Sequence, residues 1–169
     1  MIRELPIHDG WNVLDDNLLA CSEQHIRAVF AMLTRQERQV AFTGGLEAKR
    51  LTDWHVDLLA SLKRRPRIFF AYDPGDELEP LKVAFGKLWQ AGFTAASHNL
   101  ACYVLIGFPK DTPSLAYERL ERVKEIGLMP FAMLYRDKSG RLPEPQREWR
   151  TLQRSWARPA AIYAREAVP

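Results

Sequence analysis

Short apolar segments return along this chain at an almost constant interval. They begin near Trp11, Gln39, Arg67, Ala101 and Met129, so that successive starts lie 28, 28, 34 and 28 residues apart. A strand followed by one crossover helix takes about 30 residues. The interval therefore predicts repeated βα units whose strands run parallel.

The segments themselves have the composition of buried parallel strands. They cover residues 11–14, 40–42, 68–72, 102–108 and 130–135. Several are apolar at consecutive positions rather than at alternate ones, which is typical of strands covered on both faces. We therefore expect a sheet with buried faces.

Helix start and stop signals fill the intervals between these strands. Ser22, Thr52, Asp76 and Thr112 are suitable N-cap residues, and Gly92 and Gly127 are suitable C-terminal stops. The sequence predicts an α/β fold with five or six consecutive βα units forming a curved parallel sheet, an incomplete TIM-like partial barrel. A doubly wound sheet is the alternative.

Length and composition fit a single domain. The chain has 169 residues and a net charge of +3. Residues 136–169 carry eight basic and four acidic side chains, a balance of +4, so the basic excess lies in this tail. Within residues 137–169 we predict a loop, a helix over 145–157 and a possible last strand over 160–164. Nucleic-acid binding by so weak an excess is not expected.

The sequence also constrains the cellular compartment of the protein and the chemistry of its cysteines. No apolar run is long enough to cross a membrane, and no export signal is visible, so we expect a cytoplasmic protein. The two cysteines exclude a disulfide framework and an all-thiolate metal site. The histidines show no metal-ligand spacing, and we expect His25 and His55 at the surface.

Ligands of parallel α/β folds bind at the carboxyl ends of the strands. At those positions the sequence places five polar stretches, each with an acid, at residues 15–17, 43–47, 72–73, 107–111 and 135–137, with Arg50 close behind the second. Turn formation and helix capping are the alternative roles of these residues.

The strings that surround these stretches resemble radical S-adenosylmethionine proteins. The resemblance covers about residues 5–136 and is carried by five strings in the same order, at residues 12–20, 42–51, 70–73, 103–111 and 130–133. It implies a partial barrel. Members of that superfamily hold a [4Fe–4S] cluster through Cys-x3-Cys-x2-Cys after their first strand, and the cluster binds S-adenosylmethionine.

This chain does not contain that cysteine loop, so its first strand matches the second strand of the family. We expect a domain truncated at its N-terminus, inactive alone and without a cofactor of its own. S-adenosylmethionine and the [4Fe–4S] cluster belong to the full-length relatives.

The resemblance also implies positions for cofactor contacts. Residues Asp15, Asp16 and Asn17 match the methionine end of the cofactor. Tyr72 and Asp73 match the ribose. The stretch from Tyr103 to Gly107, together with Tyr135, matches the adenine, and Glu47 and Arg50 face the cofactor or the substrate. No catalytic residue and no metal ligand is assigned.

Two further functions remain open besides that of an inactive enzyme-like domain. The edge of the first strand could pair with another chain, which predicts a homo-oligomer unless residues 1–6 fold back over that edge. Alternatively, the chain could bind a small molecule at the same face without a cluster.

Overall fold

The computed structural model describes residues 4–15, 17–73, 75, 78–94, 99–157 and 162. Five strands form one sheet, in which every pair of neighbours is parallel. They are β1 (Asn12–Val13), β2 (Ala41–Leu46), β3 (Arg67–Tyr72), β4 (Leu100–Ile106) and β5 (Met129–Leu134). Five α-helices accompany them: α1 (Glu23–Leu33), α2 (Asp53–Ser61), α3 (Glu79–Gln90), α4 (Pro113–Ile126) and α5 (Gln146–Ser155). The predicted α/β fold with consecutive βα units is confirmed.

The strand order in the sheet follows the order of the chain, β1 to β5. Such an order excludes the doubly wound alternative, because a doubly wound sheet reverses its strand order at a switch point. Right-handed crossovers in one direction place the connecting helices on one face. The sheet does not close into a barrel, and it therefore has the form of the predicted partial barrel.

The expectation that the strands are buried on both faces holds for β2 and β4, which contain no exposed residue, but not for β3 and β5. Along β3, Ile68 and Phe70 are fully buried, whereas Arg67 and Ala71 are exposed. On β5, 47 % of Met133 is exposed. A sheet with sequential strand order has a helix layer on one side only, so its inner face stays half covered even where the sequence is continuously apolar.

The helix boundaries follow their capping residues. Ser22 accepts a hydrogen bond from the backbone of His25 (3.2 Å), and Thr112 accepts one from Leu115 (3.3 Å). Gly127 ends α4 with a φ of 102°, a conformation that favours glycine. At α3 the N-cap is Leu78 rather than the predicted Asp76, which itself lies outside the described residues.

The strand limits are shifted from those predicted. β2 continues past Phe42 to Leu46, because an irregular register against β3 accommodates two glycines between those residues. Helix α5 buries Trp149 and is followed by the buried Trp156. The predicted strand over 160–164 falls outside the described residues, except for Ile162. Within the described ranges, no helix is long and apolar enough to cross a bilayer.

Candidate functional site

A cleft, called the main cleft below, lies at the carboxyl ends of β2 and β3. It has a volume of about 850 Å³, and its walls include Asn17, Gly45, Glu47, Lys49, Tyr72 and Asp73. These residues follow three different strands, so the parallel sheet brings together parts of the chain that are distant in sequence. Of the ten predicted site residues, four lie in this cleft: Asn17, Glu47, Tyr72 and Asp73.

Glu47 is the carboxylate at the centre of the basic groups beside the cleft. Lys49 Nζ lies 2.8 Å from Glu47 Oε1, and Arg50 Nε pairs with the other carboxylate oxygen. The hydrogen bond from Lys49 lowers the pKa of Glu47, and Arg50 lowers it further, while partial burial opposes both. Glu47 is therefore ionised at neutral pH. Arg50 supports Glu47 and is not itself part of the cleft wall.

Two glycines shape the rim between β1 and β2. A Cβ atom at Gly44 would lie 2.4 Å from the carbonyl oxygen of Leu14 and 2.6 Å from that of Asp15. Gly45 has a φ of +93°, where side chains cause strain. Because the two backbones approach so closely, the chain after β1 packs against the end of β2. This packing places Asn17 at the cleft.

The turn after β1 contains both a satisfied and an unsatisfied polar group. Asp15 Oδ1 accepts a hydrogen bond from the backbone of Asn17 (2.8 Å), the turn role that was the alternative to binding. The side-chain oxygen of Asn17 is buried and has no hydrogen-bond partner in the described part of the chain. Asp16 lies outside the described residues. An unpartnered buried acceptor is rare and favours a ligand donor nearby.

Tyr72 and Asp73 lie at the end of β3 on the opposite wall. Tyr72 is only 7 % exposed and packs into the core, whereas Asp73 is exposed. Asp73 is thus accessible to a ligand in the cleft, whereas the ring of Tyr72 is largely buried by its packing against the core.

Tyr103 lies on the inner face of the sheet, beside the cleft rather than in its wall. Its ring stacks on Phe69 with 4.8 Å between centroids and meets Phe131 edge-on at 6.4 Å. Its hydroxyl donates to the carbonyl of Thr43 (3.1 Å). Burial raises the pKa of Tyr103, and Arg67 partly opposes this. Tyr103 and Phe131 are half-buried, whereas Phe69 is only 5 % exposed.

Gly107 does not reach the cleft. Its φ is +75°, and a Cβ atom there would lie 2.6 Å from Pro143 and 3.3 Å from Trp149. Its backbone N–H donates to Asp111 (2.8 Å), whose carboxylate is fully buried and receives two hydrogen bonds from Arg119 (2.7 and 3.0 Å). The space at Gly107 is filled by the C-terminal loop, and the acid of this stretch holds β4 to α4.

Tyr135 also lies apart from the cleft. It is half-buried, and its backbone N–H donates to the carbonyl of Ile106 (2.9 Å), which extends the pairing of β5 with β4. The next residue, Arg136, lines a second cleft at the end of β5.

The two thiols do not form the ligand set of an iron–sulfur cluster. Cys102 is fully buried within β4, and Cys21 is half-buried at the start of the segment that leads into α1. Burial raises the pKa of Cys21, with a smaller contribution from Asp15, so its thiol stays protonated at neutral pH. Among the described residues, no three His, Cys, Asp or Glu side chains are grouped as metal ligands.

Two residues that matter here were not among those predicted. Lys49 was not singled out because it follows the stretch 43–47 as an ordinary charged residue. His55 was placed at the surface, but it is 4 % exposed, and its Nδ1 accepts a hydrogen bond from the backbone of Thr52 (3.1 Å). Its position three residues after Thr52 is the signal, because that is the capping-box position of a helix.

A comparison with models of protein families finds no match to this chain, and comparisons with curated proteins and with solved structures find none either.

Proposed function

We propose that this chain is a radical S-adenosylmethionine-like domain whose main cleft binds a polar small molecule of the S-adenosylmethionine type. In this proposal the chain does not hold the iron–sulfur cluster and does not react alone. The observation that carries the proposal is the convergence of Asn17, Glu47 and Asp73 on one cleft at the carboxyl edge of the sheet. Together with the resemblance of five ordered strings, this position supports a shared type of ligand site.

The groups in the cleft suit a ligand with hydroxyl and ammonium donors. Glu47 offers an ionised carboxylate that is 28 % exposed, and Asn17 offers a buried acceptor without a partner. Next to them, the half-buried ring of Tyr103, which stacks on the buried Phe69, offers an apolar surface for a planar base. Polar contacts of this kind orient a ligand, but without a metal anchor they give low affinity.

Calorimetry with S-adenosylmethionine and with 5′-methylthioadenosine tests this proposal. We expect weak and similar affinities, with dissociation constants above about 0.1 mM, because the amino-acid end of S-adenosylmethionine has no metal to chelate. The variant Glu47→Gln is expected to weaken binding of both ligands. Asp57→Asn, which removes an exposed carboxylate on α2, is the matched control and should leave binding unchanged.

Three results would count against the proposal. One is the absence of saturable binding of either ligand. Another is binding that Glu47→Gln and Asp57→Asn affect equally. A low-micromolar affinity for S-adenosylmethionine with strong preference over 5′-methylthioadenosine would show that this chain anchors the amino-acid end by itself, as a cluster-independent binder.

We propose as a second function that β1 pairs with another copy of the chain. Among the described residues β1 pairs with β2 alone, and residues 4–10 form no strand beside its other edge. Leu5, Trp11 and Leu14 are 59 %, 40 % and 73 % exposed. An open edge next to exposed apolar side chains favours association.

Light scattering over a range of concentrations tests this association. We expect a dimer that Leu14→Glu converts into a monomer, while Val83→Glu, at a 50 % exposed position of α3, leaves it intact. A monomer at high micromolar concentration, or equal loss of the dimer in both variants, would contradict it.

A further inference from the structure

A second cleft lies at the carboxyl end of β5, and it shares no lining residue with the main cleft. Its volume is about 610 Å³, and Arg136, Arg141 and Arg150 line it together with Leu142 and Gln146. Three guanidinium groups thus come from the end of β5, from the loop that follows and from the middle of α5. Two acids, Asp137 and Glu144, also lie in its wall.

Both carboxylates already accept hydrogen bonds from neighbouring donors. Asp137 Oδ1 accepts hydrogen bonds from Ser139 N, Ser139 Oγ and Arg141 N at 2.7–2.9 Å, and Asp137 Oδ2 accepts one from Arg141 Nε at 3.1 Å. The hydrogen bond from Ser139 Oγ is the largest of the effects that lower the pKa of Asp137 to about 2. Glu144 accepts from the backbone and the side chain of Gln146, each at 3.1 Å.

Two of the three guanidinium groups have no acid to pair with. The side chains of Arg136 and Arg150 form no ion pair and no hydrogen bond within the described part of the chain, and both residues are exposed. Arg141, the third guanidinium group of the cleft, differs from them because it pairs with Asp137. The charges in the second cleft that are not paired with an acid are therefore positive.

The loop that forms the cleft is held in place by contacts with α5 and with the end of β4. Trp149 is 2 % exposed, and its Nε1 donates to the carbonyl of Glu144 (3.3 Å). Pro143 occupies the space above Gly107. A loop fixed by these contacts loses little conformational entropy when a ligand binds.

We propose that the second cleft binds the phosphate groups of a small phosphorylated molecule of nucleoside diphosphate size. Guanidinium groups bind phosphate through paired N–H donors, and two unpaired arginines can hold a diphosphate from two sides. The volume lies in the range of small-molecule sites, and Leu142 supplies an apolar wall. The two acids leave the lining with a net charge of only +1, too little for the backbone of a nucleic acid, which needs many cations.

Titration with ADP and with inorganic pyrophosphate, followed by amide chemical shifts, tests the site. We expect saturable shifts at Gly140, Arg141 and Gln146, and about tenfold weaker binding in both Arg136→Gln and Arg150→Gln. Arg147→Gln is the matched control, because it removes the same charge from the same helix at a position outside the cleft. Similar binding of both probes would assign recognition to the phosphates alone, whereas tighter binding of ADP would add a contact to the nucleoside.

Several results would overturn the proposal. They are the absence of saturable shifts with both probes in a chain whose spectrum is folded, equal weakening by Arg147→Gln and Arg150→Gln, and binding of a single-stranded RNA oligomer when neither small probe binds. Because the main cleft has no residue in common with this one, loss of binding here leaves the S-adenosylmethionine test unaffected.

Discussion

Single residues in this protein owe their roles to neighbours that are distant in sequence. Gly44 is required because backbone carbonyls of the chain after β1 occupy the place of its side chain. His55 looks like a surface residue in the sequence, yet it takes the third position of a capping box and is buried there. In both cases, the local environment restricts which substitutions the position accepts.

Gly44→Ala is expected to destabilise the fold by roughly 1–3 kcal/mol, because the new methyl group must displace backbone rather than a flexible side chain. The control Gly86→Ala introduces a Cβ with no atom within 4 Å, inside α3. That change is expected to stabilise the helix by roughly 0.5–1 kcal/mol. Urea denaturation measures both, and effects of the same sign would contradict this account.

The stability of the protein should depend on the protonation of His55. Burial lowers its pKa below the usual value of 6.5, so the unfolded chain takes up a proton at a higher pH than the folded one. The stabilisation is complete above pH 6.5 and is lost as the pH falls from there through the lower folded-state pKa. Protonation also removes the acceptor that Thr52 uses.

The variant His55→Gln keeps a capping-box side chain but does not titrate. The free energy of unfolding of this variant is expected to change less than that of the wild type between about pH 7.5 and 5.5. His8→Gln, at an exposed position, is the control and should follow the wild type. An unchanged slope in His55→Gln would show that this residue is not the titrating group.

At the scale of elements, buried polar contacts fasten strands to helices. The side chain of Asp111 is fully buried, and its carboxylate joins Arg119 of α4 to the N–H of Gly107 at the end of β4. Arg119 also donates to the carbonyl of Leu105 (3.1 Å). One ion pair therefore fixes how β4 ends and how α4 lies against it.

Asp111→Ala is expected to cost about 3–5 kcal/mol, because it leaves the guanidinium of Arg119 buried without its partner. The exposed pair Glu118–Arg122, with 3.8 Å between charged atoms on the same helix, is the matched control. Glu118→Ala should change stability by less than about 1 kcal/mol. Thermal or urea denaturation distinguishes the two, and a small effect of Asp111→Ala would contradict the role assigned to this pair.

Much of the element order could be predicted because spacing and capping are local signals. Ser22, Thr112 and Gly127 mark helix ends through contacts within a few residues of themselves. The candidate site was predicted less completely. Nothing near Gly107 in the sequence indicates that Pro143 packs against it, and nothing near Asp111 indicates Arg119 as its partner. Such contacts depend on how the sheet and α5 pack, which periodicity does not specify.

At the scale of the whole molecule, the local stability of the sheet increases from its β1 edge to its centre. β3 and β4 each have a strand on both sides, whereas β1 is two residues long and, in the described ranges, has β2 as its one neighbour. Opening of β1 therefore breaks few hydrogen bonds and exposes little of the core.

Native-state hydrogen exchange is expected to be slowest in β3 and β4 and fastest in β1 at low protein concentration. If β1 pairs with a second copy, its amides become more protected as the concentration rises, while those of β4 do not change. Equal protection of β1 and β4 at all concentrations would contradict this difference in local stability between the edge and the centre of the sheet.

The one-sided helix layer also determines which mutations the protein can accept. Along β3, side chains alternate between the helix-covered face, with Ile68 and Phe70, and the inner face, with Arg67 and Ala71. Selection for folding acts strongly on the first pair and on Phe69, which is buried on the inner face, and weakly on Arg67 and Ala71. The exposed positions of the inner face and of the loops at the carboxyl edge can therefore diverge in sequence, so new ligand specificities can evolve on this scaffold without loss of its core.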